Sequence, residues 1–126
     1  MGSEMCIRDR EITDAIGHLL SKGRKVTAHK LEEWWMDCGN QSDLLEANRT
    51  VLSMTEHSYV HGQIDDASEI HGTVMVSENV VVSHSKLAGP LALAEGAEVT
   101  RSILGPNISV GRNCVISDSK LSLIHI

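Results

Sequence analysis

Aromatic residues are scarce in this sequence, which has no phenylalanine, one tyrosine and two tryptophans among its 126 residues. Large aromatic rings supply much of the buried area in ordinary globular cores. A core built without them must be lined by valine, isoleucine, leucine and alanine. This composition favours a narrow, stacked coil over a globular sandwich.

Clusters of basic residues are also missing, because 11 lysines and arginines are scattered among 17 acidic residues and leave a net charge of −6. A nucleic-acid surface needs grouped lysine and arginine side chains to bind phosphates. Nucleic acid is therefore not expected as a partner. No run approaches the roughly 20 apolar residues that span a bilayer, and no signal peptide is recognisable, so no membrane association is expected.

The two ends of the chain resemble translated sequencing adaptor. Residues 1–10, MGSEMCIRDR, match the translation of a transposase adaptor used in DNA library preparation, and residues 121–126, LSLIHI, match part of its reverse complement. Agreement at both ends predicts that these segments are artefacts to be set aside. The native content is then residues 11–120, cut on both sides.

Cysteine is sparse once Cys6, which lies in the first adaptor-like segment, is set aside. Cys38 and Cys114 remain, far apart in the sequence and without CxxC or CxxH spacing. Such a pair supports neither a disulfide framework nor a zinc site. We therefore expect a reducing, cytoplasmic location.

The second half of the chain repeats every 17 residues from Ile70 onward. Three columns of aliphatic residues recur in steps of six, six and five: Ile70, Leu87 and Leu104; Val76, Leu93 and Val110; Val82, Val99 and Ile116. Turn-forming residues and serines keep fixed offsets from these columns: Glu78-Asn79, Glu95-Gly96 and Arg112-Asn113; Ser85, Ser102 and Ser119. Fixed-period self-similarity is typical of a solenoid. Residues 59–120 are predicted to form a left-handed parallel β-helix of hexapeptide-type repeats.

The first half has a different pattern, helix, strand, turn, helix, over residues 11–58. A strand-like run at residues 25–33 leads to Trp34 and Trp35, which are expected to pack, and then to Asp37 and a Gly39-Asn40 turn. Apolar residues at helical spacing follow, and residues 53–58 are the expected joint to the β-helix. Side chains at a strand-to-helix turn lie at the carboxyl edge of a sheet, where α/β proteins bind ligands. A carboxylate there suits Mg²⁺.

Three segments resemble the sugar-1-phosphate nucleotidyltransferases, most of all the long-form glucose-1-phosphate thymidylyltransferases. They are WWMDCGNQSDLLEANR (residues 34–49), EITDAI (11–16) and GRKV (23–26). Departures occur at Cys38 and at Gln41-Ser42. The resemblance implies the C-terminal part of an α/β catalytic domain followed by a β-helix. It also implies transfer of a nucleotidyl group from a nucleoside triphosphate to a sugar 1-phosphate with release of pyrophosphate, in a parent that is a homo-oligomer.

The same resemblance identifies Asp37 as the catalytic, Mg²⁺-binding aspartate and Glu11 as a candidate contact to a sugar hydroxyl. An alternative role for Glu11, with Asp14, is favourable negative charge at a helix N-terminus. The family's glycine-rich phosphate loop and second metal carboxylate are not found in this sequence. The chain alone is therefore expected not to catalyse the transfer.

Two other functions remain open for the β-helix. It is either an acyl- or acetyltransferase domain of a bifunctional enzyme, with His71 or His84 as the candidate histidine, or a non-catalytic regulatory or oligomerisation module. A zinc site at His57 and His61 is not expected, because their spacing of four suits a metal only on a helix. His71 and His84 are expected to face solvent.

Overall fold

The computed structural model describes residues 11–122. The predicted artefact at residues 1–10 and most of the one at 121–126 lie outside this range, whereas Leu121 belongs to a strand. The chain forms two compact units, the first ending at Trp35 and the second beginning at Met36. None of the described helices is long and apolar enough to cross a membrane.

In the first unit, helix α1 spans Ile12–Ser21 and follows Glu11, as predicted. The predicted strand at residues 25–33 is not formed, since this run carries no strand assignment. A strand is stabilised by hydrogen bonds to a neighbouring strand, and the described part of this unit contains none. The prediction that Trp34 and Trp35 pack is also wrong for the described chain, because they are 48% and 69% exposed.

Helix α2 spans Gln41–Ser53 and confirms the predicted turn-to-helix sequence. Asn40 caps it: the Asp43 backbone N–H donates to Asn40 Oδ1 at 2.9 Å, and Asn40 Nδ2 donates to Asp43 Oδ2 at 2.7 Å. Such a cap satisfies one of the free N–H groups of the first turn. Further along the helix, Leu52 is buried, and Asn48 Nδ2 donates to the Asn107 carbonyl oxygen at 3.2 Å.

The remaining described residues form a parallel β-solenoid of about four turns, which confirms the predicted left-handed β-helix. The strands are β1 Tyr59–Val60, β2 Gln63–Ile64, β3 Glu69–His71, β4 Val74–Val76, β5 Val81–Ser83, β6 Lys86–Ala88, β7 Leu91–Leu93, β8 Glu98–Thr100, β9 Ile103–Leu104, β10 Ile108–Val110, β11 Val115–Ser117 and β12 Lys120–Leu121. They form sheet A (β1-β4-β7-β10), sheet B (β2-β5-β8-β11) and sheet C (β3-β6-β9-β12).

The strand register confirms the three predicted aliphatic columns. Within each column, every residue pairs with the equivalent residue of the next coil. The pairs are Ile70 with Leu87 and Leu87 with Leu104, Val76 with Leu93 and Leu93 with Val110, and Val82 with Val99 and Val99 with Ile116. The first coil departs from the period, since Val60 pairs with Val76 and Ile64 pairs with Val82. The first of these separations is one position shorter than the repeat, and the second is one position longer. The connection between the sheet A and sheet B strands is therefore shorter in this coil than in the next.

The core of the solenoid is aliphatic, as the lack of aromatics predicts. Its buried members are Val74, Val76, Val80, Val82, Leu87, Leu91, Leu93, Ala97, Val99, Leu104, Ile108, Val110 and Ile116. Gly105 shows how closely successive coils approach at a corner: its φ is +112°, and a Cβ there would lie 1.8 Å from the Ala88 carbonyl oxygen. Only glycine fits that position without moving the backbone.

Serine side chains link the coils at the corner between sheets B and C. Ser85 and Ser102 are almost fully buried, and each hydroxyl accepts from the backbone N–H of the equivalent serine in the next coil at 3.1 Å. Each hydroxyl also donates at 2.8 Å to the backbone carbonyl oxygen of a preceding strand residue, Ser83 or Thr100. The repeated serines thus satisfy backbone groups that the turn removes from the strand ladders.

Replacing Ser102 with alanine is expected to lower the free energy of unfolding by about 1–3 kcal/mol, because the Ser119 N–H and the Thr100 carbonyl oxygen lose a buried partner. Urea denaturation followed by circular dichroism measures the change. Ser117→Ala is the matched control, since Ser117 is exposed in the next coil. Equal losses in the two variants would contradict the role assigned to the buried hydroxyl.

Charged side chains pair on the outside of neighbouring coils. Arg101 Nε and Nη2 donate to the two Asp118 carboxylate oxygens, both at 2.7 Å, and these hydrogen bonds lower the pKa of Asp118 below its usual value. A hydrogen bond and the positive charge of Lys86 likewise lower the pKa of Glu69, whose Oε2 is 3.0 Å from Lys86 Nζ.

A carboxyl group whose pKa is lowered by folding stabilises the fold above its unfolded-state pKa, and that contribution is lost as the pH falls through the folded-state pKa. Asp118→Asn is therefore expected to lower the melting temperature at neutral pH. The difference from the unmodified chain should disappear at a pH below the lowered pKa of Asp118, where neither chain carries that charge. Asp66→Asn, which removes an exposed carboxylate outside this pair, is the control. A difference that is constant with pH would contradict the assignment.

Candidate functional site

Asp37, the predicted metal ligand, is exposed in the turn that precedes helix α2. The Asn40 cap fixes where the helix begins, so the backbone that carries Asp37 leads into a defined structure on its C-terminal side. Within residues 11–122, no group of three or more histidine, cysteine, aspartate or glutamate side chains converges to hold a metal ion. Asp37 thus offers one oxygen ligand of the kind that Mg²⁺ accepts, alongside substrate phosphates.

Glu11, the candidate sugar contact, occupies the N-cap position of helix α1 in the first unit. Its carbonyl oxygen accepts from the Asp14 and Ala15 N–H groups at 3.1 and 3.3 Å, whereas its side chain makes no capping hydrogen bond. The exposed carboxylate is therefore not used by the local fold. Asp14 lies in the first turn, where negative charge opposes the positive end of the helix dipole.

The two β-helix histidines differ in their surroundings, although both are exposed as predicted. His71 Nε2 is 3.7 Å from Glu69 Oε2, and the same carboxylate is also paired with Lys86. His84 Nδ1 is 3.2 Å from Asp65 Oδ2. Asp65 carries no repeat signal in the sequence, because its separation from His84 does not match the repeat length.

Asp65 is held in place from several sides. Both of its carboxylate oxygens accept from the His84 backbone N–H, at 3.1 and 3.0 Å, and Ser68 Oγ donates to Oδ1. The Ser68 hydrogen bond, followed by those from His84, lowers the pKa of Asp65 below its usual value. The carboxylate therefore stays charged at neutral pH, and Nδ1 is the His84 ring nitrogen that faces it.

A groove crosses the four coils at the corner that follows the sheet A strands. Its volume is about 430 Å³, and it is lined by Tyr59, His61, Ser77, Glu78, Ala94, Glu95 and Arg112. The repeat in the sequence predicts Glu78, Glu95 and Arg112 only as turn positions. Their outward charges share one column because the period places them at equivalent positions of successive coils.

No family model matches the chain. Individual proteins do: the glucose-1-phosphate thymidylyltransferase of Streptomyces griseus is 40% identical over 111 residues, covering 88% of this chain and 31% of that protein. The low-salt glycan biosynthesis nucleotidyltransferase Agl11 of Haloferax volcanii is 38% identical over 69 residues, covering 55% of this chain and 19% of that protein. The bifunctional protein GlmU of Methanocaldococcus jannaschii is 38% identical over 73 residues, covering 58% and 17%.

The chain spans about a third of the length of the thymidylyltransferases that it matches. The match covers most of this chain, and the described residues form the helices and the β-solenoid that the resemblance implies. By sequence and fold, the chain is therefore similar to a segment of the sugar-1-phosphate nucleotidyltransferases.

Proposed function

We propose that the chain is part of an enzyme that converts a nucleoside triphosphate and a sugar 1-phosphate into a nucleotide sugar and pyrophosphate. A glucose-1-phosphate thymidylyltransferase activity is the specific form of this proposal. The observation that carries it is the 40% identity to the Streptomyces griseus enzyme over 88% of this chain. In the parent, residues 11–58 contribute the end of the catalytic domain and residues 59–120 the β-helix.

Asp37 is proposed to hold Mg²⁺ together with ligands from the rest of the parent and from substrate phosphates. When bound, Mg²⁺ neutralises charge on the reacting phosphates and acts as a Lewis acid. Nucleotidyl transfer depends mainly on positioning the reactants and neutralising their charge. The protein's own contribution is therefore to hold the Asp37 carboxylate on the turn before helix α2. Glu11 is proposed to accept a hydrogen bond from a sugar hydroxyl, which its unused carboxylate permits.

The 126-residue chain alone is expected to release no pyrophosphate from dTTP and glucose 1-phosphate. Its sequence has no glycine-rich phosphate-binding pattern, and its described residues include no group of three or more histidine, cysteine, aspartate or glutamate side chains that could hold a metal ion. A coupled pyrophosphate assay with purified chain and Mg²⁺ measures this directly. Turnover above that of a sample without protein would refute the expectation.

A chimera tests the proposed function itself. Residues 11–120 replace the matching segment of the Streptomyces griseus thymidylyltransferase, and pyrophosphate release is measured. We expect an active chimera in which Asp37→Asn lowers kcat/KM by about 100-fold or more, because loss of a metal ligand removes several kcal/mol of transition-state stabilisation. Glu46→Gln, an exposed change on helix α2, is the matched control. A folded chimera in which both variants keep full activity would exclude Asp37 from the site.

We further propose that the β-helix assembles the parent into a homo-oligomer or regulates it, and that the protein is cytoplasmic. The exposed outer faces of the three sheets support the first proposal, since solenoids present extended binding surfaces. Cys38 and Cys114, which are both free thiols, support the second. Unpaired thiols are typical of a reducing compartment.

The second candidate function is an acyltransferase activity of the β-helix, and the His84–Asp65 contact favours His84 over His71 for it. A carboxylate next to Nδ1 favours the tautomer in which Nε2 can accept a proton from an attacking amine or hydroxyl. If this function exists, the chimera catalyses acetyl transfer from acetyl-CoA to a sugar amine, and His84→Gln abolishes it while His71→Gln does not. Absence of acetyl transfer, or equal activity in the two variants, would exclude His84 as the base.

A further inference from the structure

The groove at the sheet A corner is lined by residues that have no role in the nucleotidyltransferase function proposed above. Tyr59 and His61 form a tilted aromatic pair at one end, with ring centroids 5.0 Å apart and planes at 37°. Glu78 and Glu95 line its middle, and Arg112 lines the other end. All five of these residues are exposed. Glu95 Oε1 accepts from Asn79 Nδ2 at 3.5 Å, so its other carboxylate oxygen is the one available to a ligand.

The floor of the groove is fixed by the coil-to-coil ladder. The backbone N–H groups of His61, Ser77 and Ala94 donate to carbonyl oxygens of the following coil at 2.9, 3.0 and 2.9 Å. Because Val76, Leu93 and Val110 are in register, Glu78, Glu95 and Arg112 lie at equivalent positions of successive coils. Neighbouring strands are about 4.8 Å apart, so the three charged groups form a row of regular spacing.

The charges in this row exclude two simple ligand classes. A phosphate or carboxylate would approach Arg112 but would be repelled by Glu78 and Glu95 in the same groove. An ammonium group would meet the two carboxylates but would be repelled by Arg112. Among the described residues Arg112 forms no ion pair, so its five N–H donors remain available to a neutral acceptor.

We propose that this groove binds a neutral sugar ring. Sugar hydroxyls donate hydrogen bonds to carboxylates, so a ring that lies next to Tyr59 can donate to Glu78 and Glu95. The C–H groups on one face of a pyranose are apolar and pack on an aromatic ring such as that of Tyr59. The groove volume of about 430 Å³ lies within the range of small-molecule sites. Neither Asp37 nor Glu11 is among the lining residues, and sugar binding here does not depend on nucleotidyl transfer.

Titration of the isotope-labelled chain with a neutral methyl glucoside, followed by amide NMR, tests the proposal. We expect saturable shifts of the Ser77 and Ala94 amides, which lie on the groove floor, with a dissociation constant on the order of 1 mM. Tyr59→Leu and Glu95→Gln should each weaken binding about tenfold. Glu98→Gln, an exposed change on strand β8 close to Glu95 in the sequence, should leave binding unchanged.

Inorganic phosphate and ethylamine are titrated in parallel as an anion and a cation. Saturable shifts of the groove amides with the glucoside alone, lost in the two groove variants and retained in Glu98→Gln, would support the proposal. It would be overturned by an absence of glucoside shifts at concentrations well above the millimolar range, by binding that survives Tyr59→Leu and Glu95→Gln, or by saturable binding of only phosphate or ethylamine. A folded state of each variant is confirmed from the unshifted amides of sheets B and C.

Discussion

The parallel register between successive coils is the constraint on which the rest of the structure depends. A coil of two- and three-residue strands has no stability alone, because each strand is too short to form an isolated sheet. Pairing each strand with its equivalent in the next coil aligns like side chains in columns. The aliphatic columns then fill the interior, the serines satisfy the corner backbone, and the ion pairs and the groove residues line up outside. Each of these features is a consequence of a single repeat length.

This dependence explains why the β-helix could be predicted from sequence in detail. The columns through Leu87, Leu93 and Val99 follow from a repeat that is visible in the sequence. A shift of one position in any coil would move a column out of the core. The first coil is harder to predict, because its shorter connection between Val60 and Ile64 breaks the period. The pairing of Asp65 with His84 depends on that same irregular coil, so no repeat argument reveals it.

The first half of the chain shows where local pattern is insufficient. The helix at Gln41–Ser53 was predictable because its cap residue, Asn40, and its first turn interact with each other. The run at residues 25–33 has a strand-like composition but requires a neighbouring strand, and the described residues of its unit supply none. The proposed role of Asp37 likewise depends on groups that the described residues do not supply, so the proposal rests on resemblance rather than on geometry. A functional residue whose partners are remote in sequence carries little local signal.

The fixed repeat length also sets the sequence separation between residues that pair in the folded chain. Almost every strand pair joins residues in adjacent coils, so the sequence separation between partners is short and nearly constant along the solenoid. Because this separation does not grow as coils are added, the entropic cost of closing the chain between paired strands stays about the same along the solenoid. Each coil needs only its neighbour as a template, so folding can begin at any coil and propagate in both directions. The solenoid is therefore a β-structure in which the sequence separation between paired strands does not increase with the length of the chain.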